Sequence, residues 1–186
     1  GAGKGFMAGG DLATLRQDPK GSATQLLGPL TQALAIFDQM DAPLIAQVHG
    51  VAAGAGMSVM LQADFVIAAQ GTRFNLAYVN IGACCDAGAS WALPRVLGLR
   101  KALEVAMLGD TLNSDDALRL NLVNQVVPAD TLDATVAAFA QRLAGGPTKA
   151  LGHMRRLMRA SFGHTLGEQF EAETASFIDC TASNDF

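Results

Sequence analysis

The sequence predicts an α/β fold in which strands and helices alternate over the first two-thirds of the chain. Two apolar runs, residues 44–48 and 65–69, have the length of buried strands and are bounded by proline, glycine or polar residues. Between and after these runs, apolar residues recur at helical spacing. The last third of the chain carries helical patterns alone, so the fold class combines a strand-containing core with a helical end.

The first forty residues are expected to form a loop and two helices. Residues 1–10 are rich in glycine, and Asp11 can cap a short helix because its side chain accepts an N–H group that lacks a helical partner. Pro19 and Gly21 act as breakers, so we expect residues 18–22 to be irregular. A longer helix over residues 24–40 is predicted from apolar residues at helical spacing, namely Leu26, Leu27, Leu30, Leu34, Phe37 and Met40.

The rest of the chain alternates short elements and then becomes helical. We expect strands over residues 44–48, 65–69, 72–74 and 123–127, a glycine-rich turn over 50–56 and a loop over 82–88. Helices are predicted over residues 57–62, 90–97 and 101–108, with another that opens at its cap, Ser114. Helical patterns follow over 130–144, 148–160 and 166–178, so we divide the chain into a core, residues 1–127, and a helical region, residues 128–186.

Composition and charge exclude several classes of protein. The chain has 186 residues, of which 50% are apolar and 16% charged, enough for one domain with a large core or a subunit interface. The net charge of −4 provides no basic surface for nucleic acid. Residues 42–63 carry no charged side chain, but Pro43 and several glycines interrupt them, which favours buried elements over a membrane span. The three cysteines match no disulfide or metal-binding pattern, so we expect a reducing, cytoplasmic location and no metal.

A glycine-rich segment follows the predicted strand over residues 44–48. Gly50, Gly54 and Gly56 let the backbone approach a ligand, and the helix behind them begins with unpaired N–H groups that favour negative charge. The match to a dinucleotide-binding motif is poor, because Val59 holds the third glycine position and no acid follows at the ribose-binding spacing. The segment does not match a phosphate-binding P-loop either, because no Gly-Lys-Ser/Thr sequence follows the glycines. A tight packing turn remains the alternative.

Asp86 is the one acidic residue between Asp64 and Glu104, and its neighbours are small or apolar. A carboxylate in such surroundings can be buried and can then serve as a proton-transfer group. The alternative is an N-cap for the helix predicted at residue 90, which is a common role for aspartate.

Taken in order, five segments resemble the crotonase (enoyl-CoA hydratase/isomerase) superfamily. Residues 6–12 are similar to its F-x-A-G-A-D-L loop and residues 43–56 to its P-V-I-A-A-I-N-G-x-A-x-G-G-G segment. Residues 63–69, 93–98 and 114–127 are similar to its A-D-F-x-I-A strand, its L-P-R-x-x-G segment and its S-A-x-x-A-x-x-x-G-L-V-x-x-V-V segment. The resemblance covers most of the chain, and in family members an early pair of strands precedes it and a last helix follows it.

The resemblance implies both a fold and an acyl-CoA site. The fold is a crotonase (ClpP/crotonase-like) spiral of ββα units with a C-terminal helical trimerisation region, so we expect a homotrimer or a dimer of trimers. The site holds the thioester carbonyl between two backbone N–H groups, which by position are those of Gly10 and Ala55. Coenzyme A enters as part of the substrate, with no permanently bound cofactor, and Lys4 is a candidate for binding its phosphates. No nucleic-acid or membrane partner is expected.

The two glutamates of family hydratases have no acidic counterpart in this chain. Their positions fall at Ser58 and Tyr78, and a hydroxyl and a phenol, with an ordinary phenol pKa of about 10, are weak bases at neutral pH. Asp86 is similar in position to the acid of some Δ3,Δ2-enoyl-CoA and dienoyl-CoA isomerases and to the nucleophile of 4-chlorobenzoyl-CoA dehalogenase. The dehalogenase also needs a histidine whose place falls at Thr31, so dehalogenation is the weaker hypothesis.

We therefore expect an isomerase-type 1,3-proton transfer in which Asp86 carries the proton. The candidate residues of the substrate pocket are Met7, Ser58, Phe74, Tyr78 and Trp91. Two alternatives stay open. The first is another reaction of the family, hydration or thioester hydrolysis, with Asp86 aligning water; the second is an acyl-CoA binder in which Asp86 only caps a helix.

Overall fold

The computed structural model describes residues 1–186, which form nine α-helices, one 3₁₀ helix and five short strands. The strands are β1 Ile45–Val48, β2 Val51–Ala53, β3 Phe65–Ala69, β4 Arg73–Asn75 and β5 Gln125–Val127. The helices of the first two-thirds are α1 Leu12–Gln17, α2 Pro19–Gln39, α3 Ala55–Met60, the 3₁₀ helix Tyr78–Ile81, α4 Ala89–Leu97, α5 Leu99–Leu108 and α6 Ser114–Arg119. Beyond β5 the elements are all helices, α7 Leu132–Ala144, α8 Thr148–Ala160 and α9 Leu166–Thr181.

Consecutive strands alternate between two small parallel sheets, which is the arrangement of a ββα spiral. One sheet has the order β1-β3-β5 and the other pairs β2 with β4. In the first sheet Ala46 lies opposite Val66 and Ala68 opposite Val126. Each ββ pair is followed by helical structure before the chain returns to the first sheet, so every turn of the spiral adds one strand to it. The predicted fold class is confirmed.

The main core lies between the two sheets and the helices α3 and α4. Its fully buried side chains include those of Val48, Met57, Met60 and Phe74, each with an exposed fraction of 0%. Burying an apolar side chain of this size contributes about 1.5–3 kcal/mol, so this cluster anchors the strand ends that carry the site. No helix is both long enough and apolar enough to cross a bilayer.

Three local expectations are wrong, each because a capping or pairing partner outweighs a local signal. Helix α2 begins at Pro19, inside the segment expected to be irregular, because proline suits a first helical position and Asp18 accepts a hydrogen bond from the Gly21 N–H at 3.1 Å. Strand β2 forms within the expected glycine turn. The cap of α6 is Asn113, which accepts from the Asp116 N–H at 2.8 Å, and not Ser114.

The helical region is tied to the core by Arg155 of α8, whose exposed fraction is 7%. Its Nε donates to Asp64 at 2.7 Å, and Arg159 of the same helix donates to the other Asp64 oxygen at 2.7 Å. Burial works to raise the pKa of Asp64, but hydrogen bonds from the Leu44 N–H and from both arginines outweigh it and lower that pKa. The remaining donors of Arg155 bind carbonyl oxygens at the end of α2, those of Phe37, Asp38 and Met40.

Arg155→Met is expected to lower the free energy of unfolding by about 3–5 kcal/mol, because it removes one of the two arginines that pair with Asp64 and leaves three α2 carbonyl oxygens without their donor. Urea denaturation at neutral pH measures the loss. Arg119→Met is the matched control: Arg119 pairs with Asp116 at 2.7 Å but its side chain is 70% exposed, and a pair of that kind contributes at most about 1 kcal/mol. Similar losses in both variants would contradict the structural role of Arg155.

Candidate active site

The structure brings Asp86 together with Ser58 and Tyr78, the two positions that the sequence resemblance matched to the glutamates of family hydratases. The Tyr78 hydroxyl donates a hydrogen bond to Oδ1 of Asp86, and the same hydroxyl lies 2.9 Å from Oγ of Ser58. Ser58 is fully buried on α3 and Tyr78 is 9% exposed, while Asp86 is partly exposed. The three side chains form one continuous hydrogen-bonded row that ends at a carboxylate with access to solvent.

Two left-handed residues shape the loop that carries Asp86. Ala77 (φ 53°) precedes the 3₁₀ helix, and Ala87 (φ 50°) follows Asp86 just before α4. A left-handed alanine costs about 1–3 kcal/mol and persists where the surroundings hold it, often at functional sites. The N-cap of α4 is Gly88, which provides no side-chain cap. The interpretation of Asp86 as a helix cap is therefore wrong, because its carboxylate is bound to Tyr78 instead.

Burial raises the pKa of Tyr78 above its ordinary value of 10.0, and the hydrogen bond to Asp86 raises it further. The phenol is therefore protonated at neutral pH and acts as a hydrogen-bond donor. A phenol that stays protonated is a poor general base.

The N-terminal loop lies along β2 and is held there by backbone pairing. The Met7 N–H donates to the Val51 carbonyl at 3.1 Å, and the Ala53 N–H donates to the Met7 carbonyl at 2.9 Å. This pairing carries the chain past the start of α3. It explains why residues 6–12 and 43–56, which are distant in sequence, meet at one place.

The candidate N–H groups of Gly10 and Ala55 lie on the two sides of this meeting point. A Cβ placed on Gly9 would be 3.4 Å from the Ala55 nitrogen, so the two backbones are in close approach. Ala55 is the first residue of α3, where an N–H has no partner within the helix, and Gly54 before it has φ 52°. Neither the Gly10 nor the Ala55 N–H donates a hydrogen bond within the protein. Both donors are available to a ligand.

A cavity of about 290 Å³ opens beside the Asp86 loop, between α2, Gln62 and the start of α4. Its wall is largely apolar, with Leu34 and Ala35 from α2 and Trp91 from α4. An apolar cavity of about 150 Å³ can hold a benzene ring, so this one has room for a ring or a medium-length chain. Thr31, the position matched to the dehalogenase histidine, also lines it.

The predicted pocket residues lie in four different places. Ser58 and Tyr78 belong to the hydrogen-bonded row, and Trp91 is a wall of the cavity with 45% of its surface exposed. Phe74 is the exception to the prediction: its side chain is fully buried in the main core, where it packs and has no free surface for an acyl group. Met7 is partly buried beside the start of α3, where a Cβ on Gly56 would lie 2.8 Å from the Met7 side chain.

Lys4, the candidate for the coenzyme A phosphates, is exposed on the N-terminal loop. Its carbonyl oxygen lies against Gly50, where an added Cβ would meet it at 2.1 Å. The backbone at Lys4 therefore packs closely against the glycine turn, while the Lys4 side chain is exposed.

Gln62 is a residue of the site that the sequence patterns did not reveal. Its side-chain amide donates to the carbonyl oxygens of Ser58 at 3.3 Å and Ala87 at 3.2 Å, which ties α3 to the Asp86 loop. The available signal is its spacing, because an isolated polar residue four positions after Ser58 shares the same helical face. That signal does not indicate the loop that Gln62 binds.

Comparisons with known proteins agree with this arrangement. The sequence profile of the enoyl-CoA hydratase/isomerase family matches residues 1–186. The chain is 38% identical over 180 residues to the 1,2-epoxyphenylacetyl-CoA isomerase of Escherichia coli, an alignment covering 93% of this chain and 68% of that protein. It is 30% identical over 190 residues to the trans-2-decenoyl-[acyl-carrier-protein] isomerase of Streptococcus mutans, covering 99% of this chain and 72% of the relative.

The fold is shared with solved members of the same group. A crystal structure of an enoyl-CoA hydratase from a Polaromonas species superposes with a TM-score of 0.90 at 31% identity, covering 96% of this chain and 71% of that one. The full-length profile match, the identities above 30% and the ββα spiral all lead to one assignment. The chain belongs to the enoyl-CoA hydratase/isomerase family.

Proposed function

We propose that this chain catalyses a Δ3,Δ2-enoyl-CoA isomerase-type reaction, in which a proton moves from C2 to C4 of an acyl-CoA thioester. The observation that carries the proposal is that Asp86 is the one carboxylate in the row formed with Ser58 and Tyr78. Hydration through a pair of carboxylates needs a second acid, and that position holds a protonated phenol. A 1,3-proton shift needs only one carboxylate that accepts the proton and returns it.

The proposed reaction proceeds in two steps. Asp86 removes the C2 proton of a 3-enoyl thioester, and the electron pair moves to the carbonyl oxygen to form an enolate. The N–H groups of Gly10 and Ala55 donate to that oxygen, and one such donor contributes about 2.7–4 kcal/mol of transition-state stabilisation. The protonated Asp86 then delivers its proton to C4, and the double bond lies between C2 and C3.

Two relatives are named isomerases, one of 1,2-epoxyphenylacetyl-CoA and one of trans-2-decenoyl-[acyl-carrier-protein], and the proposal is consistent with them. Other relatives are named a probable enoyl-CoA hydratase and a 4-chlorobenzoyl coenzyme A dehalogenase, so an isomerase is proposed from the single carboxylate and not from the names. The cavity beside Asp86 has room for an acyl group. Coenzyme A would be part of the substrate, with Lys4 near its phosphates, and no cofactor would be held permanently.

The experiment supplies 3-hexenoyl-CoA and 2-hexenoyl-CoA to the wild-type chain in deuterated water. Isomerisation produces the conjugated thioester from the first substrate and places deuterium at C2 or C4, seen by mass spectrometry. Hydration would consume the second substrate, and thioester hydrolysis would release free coenzyme A. Binding of both substrates without exchange, hydration or release would identify an acyl-CoA binder and overturn the proposal.

We further propose that copies of the chain associate through the helical region, as a homotrimer or a dimer of trimers. Helices α8 and α9 present large apolar side chains to solvent in the single chain, including Met158, Leu166, Phe170, Phe177 and Ile178. A surface of this kind is typical of a protein interface. Sedimentation equilibrium of the full chain tests the proposal, and a monomer at micromolar concentration would contradict it.

A further inference from the structure

The proposed mechanism gives no role to two buried polar side chains, those of Ser58 and Tyr78. Both belong to the hydrogen-bonded row that ends at Asp86. Ser58 is fully buried, Tyr78 is 9% exposed, and their oxygens lie 2.9 Å apart. Buried polar groups are costly unless they are paired, and these two pair with each other and with the partly exposed Asp86.

The geometry assigns Tyr78 the role of a positioning residue. Its hydroxyl holds Oδ1 of Asp86, so that Oδ2 is the oxygen that takes and returns the substrate proton. This assignment rests on the proposed function.

The direction of the row follows from counting protons. An ionised carboxylate only accepts hydrogen bonds, and a tyrosine hydroxyl has one proton to donate. That proton goes to Oδ1 of Asp86, so Ser58 is the donor in the 2.9 Å contact with Tyr78, which is shorter than its alternative contact with the Gly54 carbonyl at 3.4 Å. The row therefore runs from Ser58 through Tyr78 to Asp86, with each group satisfied.

The same row serves both protonation states of the carboxyl group. Oδ2 of Asp86 accepts no hydrogen bond from the protein, whereas Oδ1 is occupied by Tyr78. Protonation at Oδ2 leaves Oδ1 as an acceptor, so no side chain has to turn when the proton arrives. Protonation at Oδ1 would leave Tyr78 a weaker acceptor, a hydroxyl oxygen in place of a carboxylate oxygen, so the row disfavours it.

Tyr78 is not the proton-transfer group itself. Burial and the neighbouring carboxylate raise its pKa above the ordinary range, so the phenol neither ionises nor gives up its proton near neutral pH. Tyr78 orients the Asp86 carboxylate, and misplacing a reacting group by about 1 Å can lower the rate about 100-fold.

Tyr78→Phe removes the hydroxyl and keeps the ring in place. We expect kcat for isomerisation to fall by about 100-fold with KM nearly unchanged, because substrate contacts remain while the carboxylate loses its anchor. A side chain that only packs would not separate kcat from KM in this way. An unchanged kcat would overturn the assignment.

A second measurement uses the fact that Tyr78 is the only tyrosine in the chain. Growth on 3-fluorotyrosine alters this one phenol and keeps its hydroxyl, so kcat should stay near the wild-type value, unlike that of Tyr78→Phe. The Tyr78→Phe chain grown in the same way is the matched control, because it contains no tyrosine to replace. A loss of kcat in the fluorinated wild type as large as that of Tyr78→Phe would mean that ring packing sets the rate, and it would overturn the assignment.

The fluorine label also separates this inference from the proposed function. Ionisation of fluorotyrosine, followed by its fluorine resonance, should occur at lower pH in Asp86→Asn than in the wild type, because the carboxylate holds the phenol protonated. Absence of isomerase turnover would refute the proposed function. An identical phenol titration in both chains would refute the pairing, whether or not the enzyme turns over.

Discussion

Asp86→Asn is expected to lower kcat for isomerisation by about 100- to 10,000-fold, the range that a positioned proton-transfer group contributes. The amide keeps the size of the carboxyl group and can still accept a hydrogen bond from Tyr78, but it cannot take a proton from C2. Binding of the acyl-CoA should persist, because the N–H groups of Gly10 and Ala55 are unaffected. Steady-state kinetics with 3-hexenoyl-CoA and deuterium incorporation at C2 measure the two effects.

The matched control is Asp110→Asn, at an exposed residue with no side-chain hydrogen bond or ion pair. It makes the same change in net charge and should leave kcat within experimental error. A loss of less than about tenfold in Asp86→Asn, far below the usual range for a general base, would mean that another group moves the proton.

Gly56→Ala is expected to lower kcat by about 100- to 1,000-fold, as the loss of one oxyanion donor does. A Cβ at this position would lie 2.1 Å from the Met7 carbonyl oxygen, which is backbone and cannot rotate away. Because that oxygen also accepts from the Ala53 N–H, the N-terminal loop must shift as a unit. Such a shift would displace the Gly10 N–H relative to the Ala55 N–H, and the two proposed donors could then not bind the same oxygen.

Gly167→Ala is the control for this change, since a Cβ at that helical position meets no atom within 4 Å. It should keep full activity and stabilise the chain slightly, by about 0.5–1 kcal/mol from the lower backbone entropy of alanine. Circular dichroism and acyl-CoA binding separate a shifted loop from an unfolded chain in Gly56→Ala. Wild-type kcat in a folded Gly56→Ala chain would contradict the paired-donor site.

Local patterns in the sequence determined the elements whose signals lie within one segment. Strand β3 was predicted at its observed bounds, Phe65–Ala69, because polar residues stand at both ends of a buried apolar run. The cap at Asp11 was also predicted, and it accepts from the Ala13 N–H at 2.9 Å. The order of five motifs predicted the family and its spiral, since together they span most of the chain.

Other features depended on partners that are distant in sequence. Strand β2 is three residues long and becomes a strand only because Arg73–Asn75 and the N-terminal loop pair with it. Phe74 has the character of a pocket residue, yet the approach of Leu112 from beyond α5 completes the core around it. The pattern of apolar and polar residues within a short segment does not predict either contact.

The site shows the same division. From the sequence alone, Asp86 is an isolated acid among small, apolar neighbours, and the family resemblance matches Ser58 and Tyr78 to the two hydratase glutamates. The helix-cap interpretation of Asp86 was excluded by the packed chain, in which the Tyr78 hydroxyl binds Asp86 and the Ser58 hydroxyl binds Tyr78. Ser58 and Tyr78 are 20 residues apart, so their hydrogen bond depends on how α3 and the 3₁₀ helix pack, and not on the pattern within either.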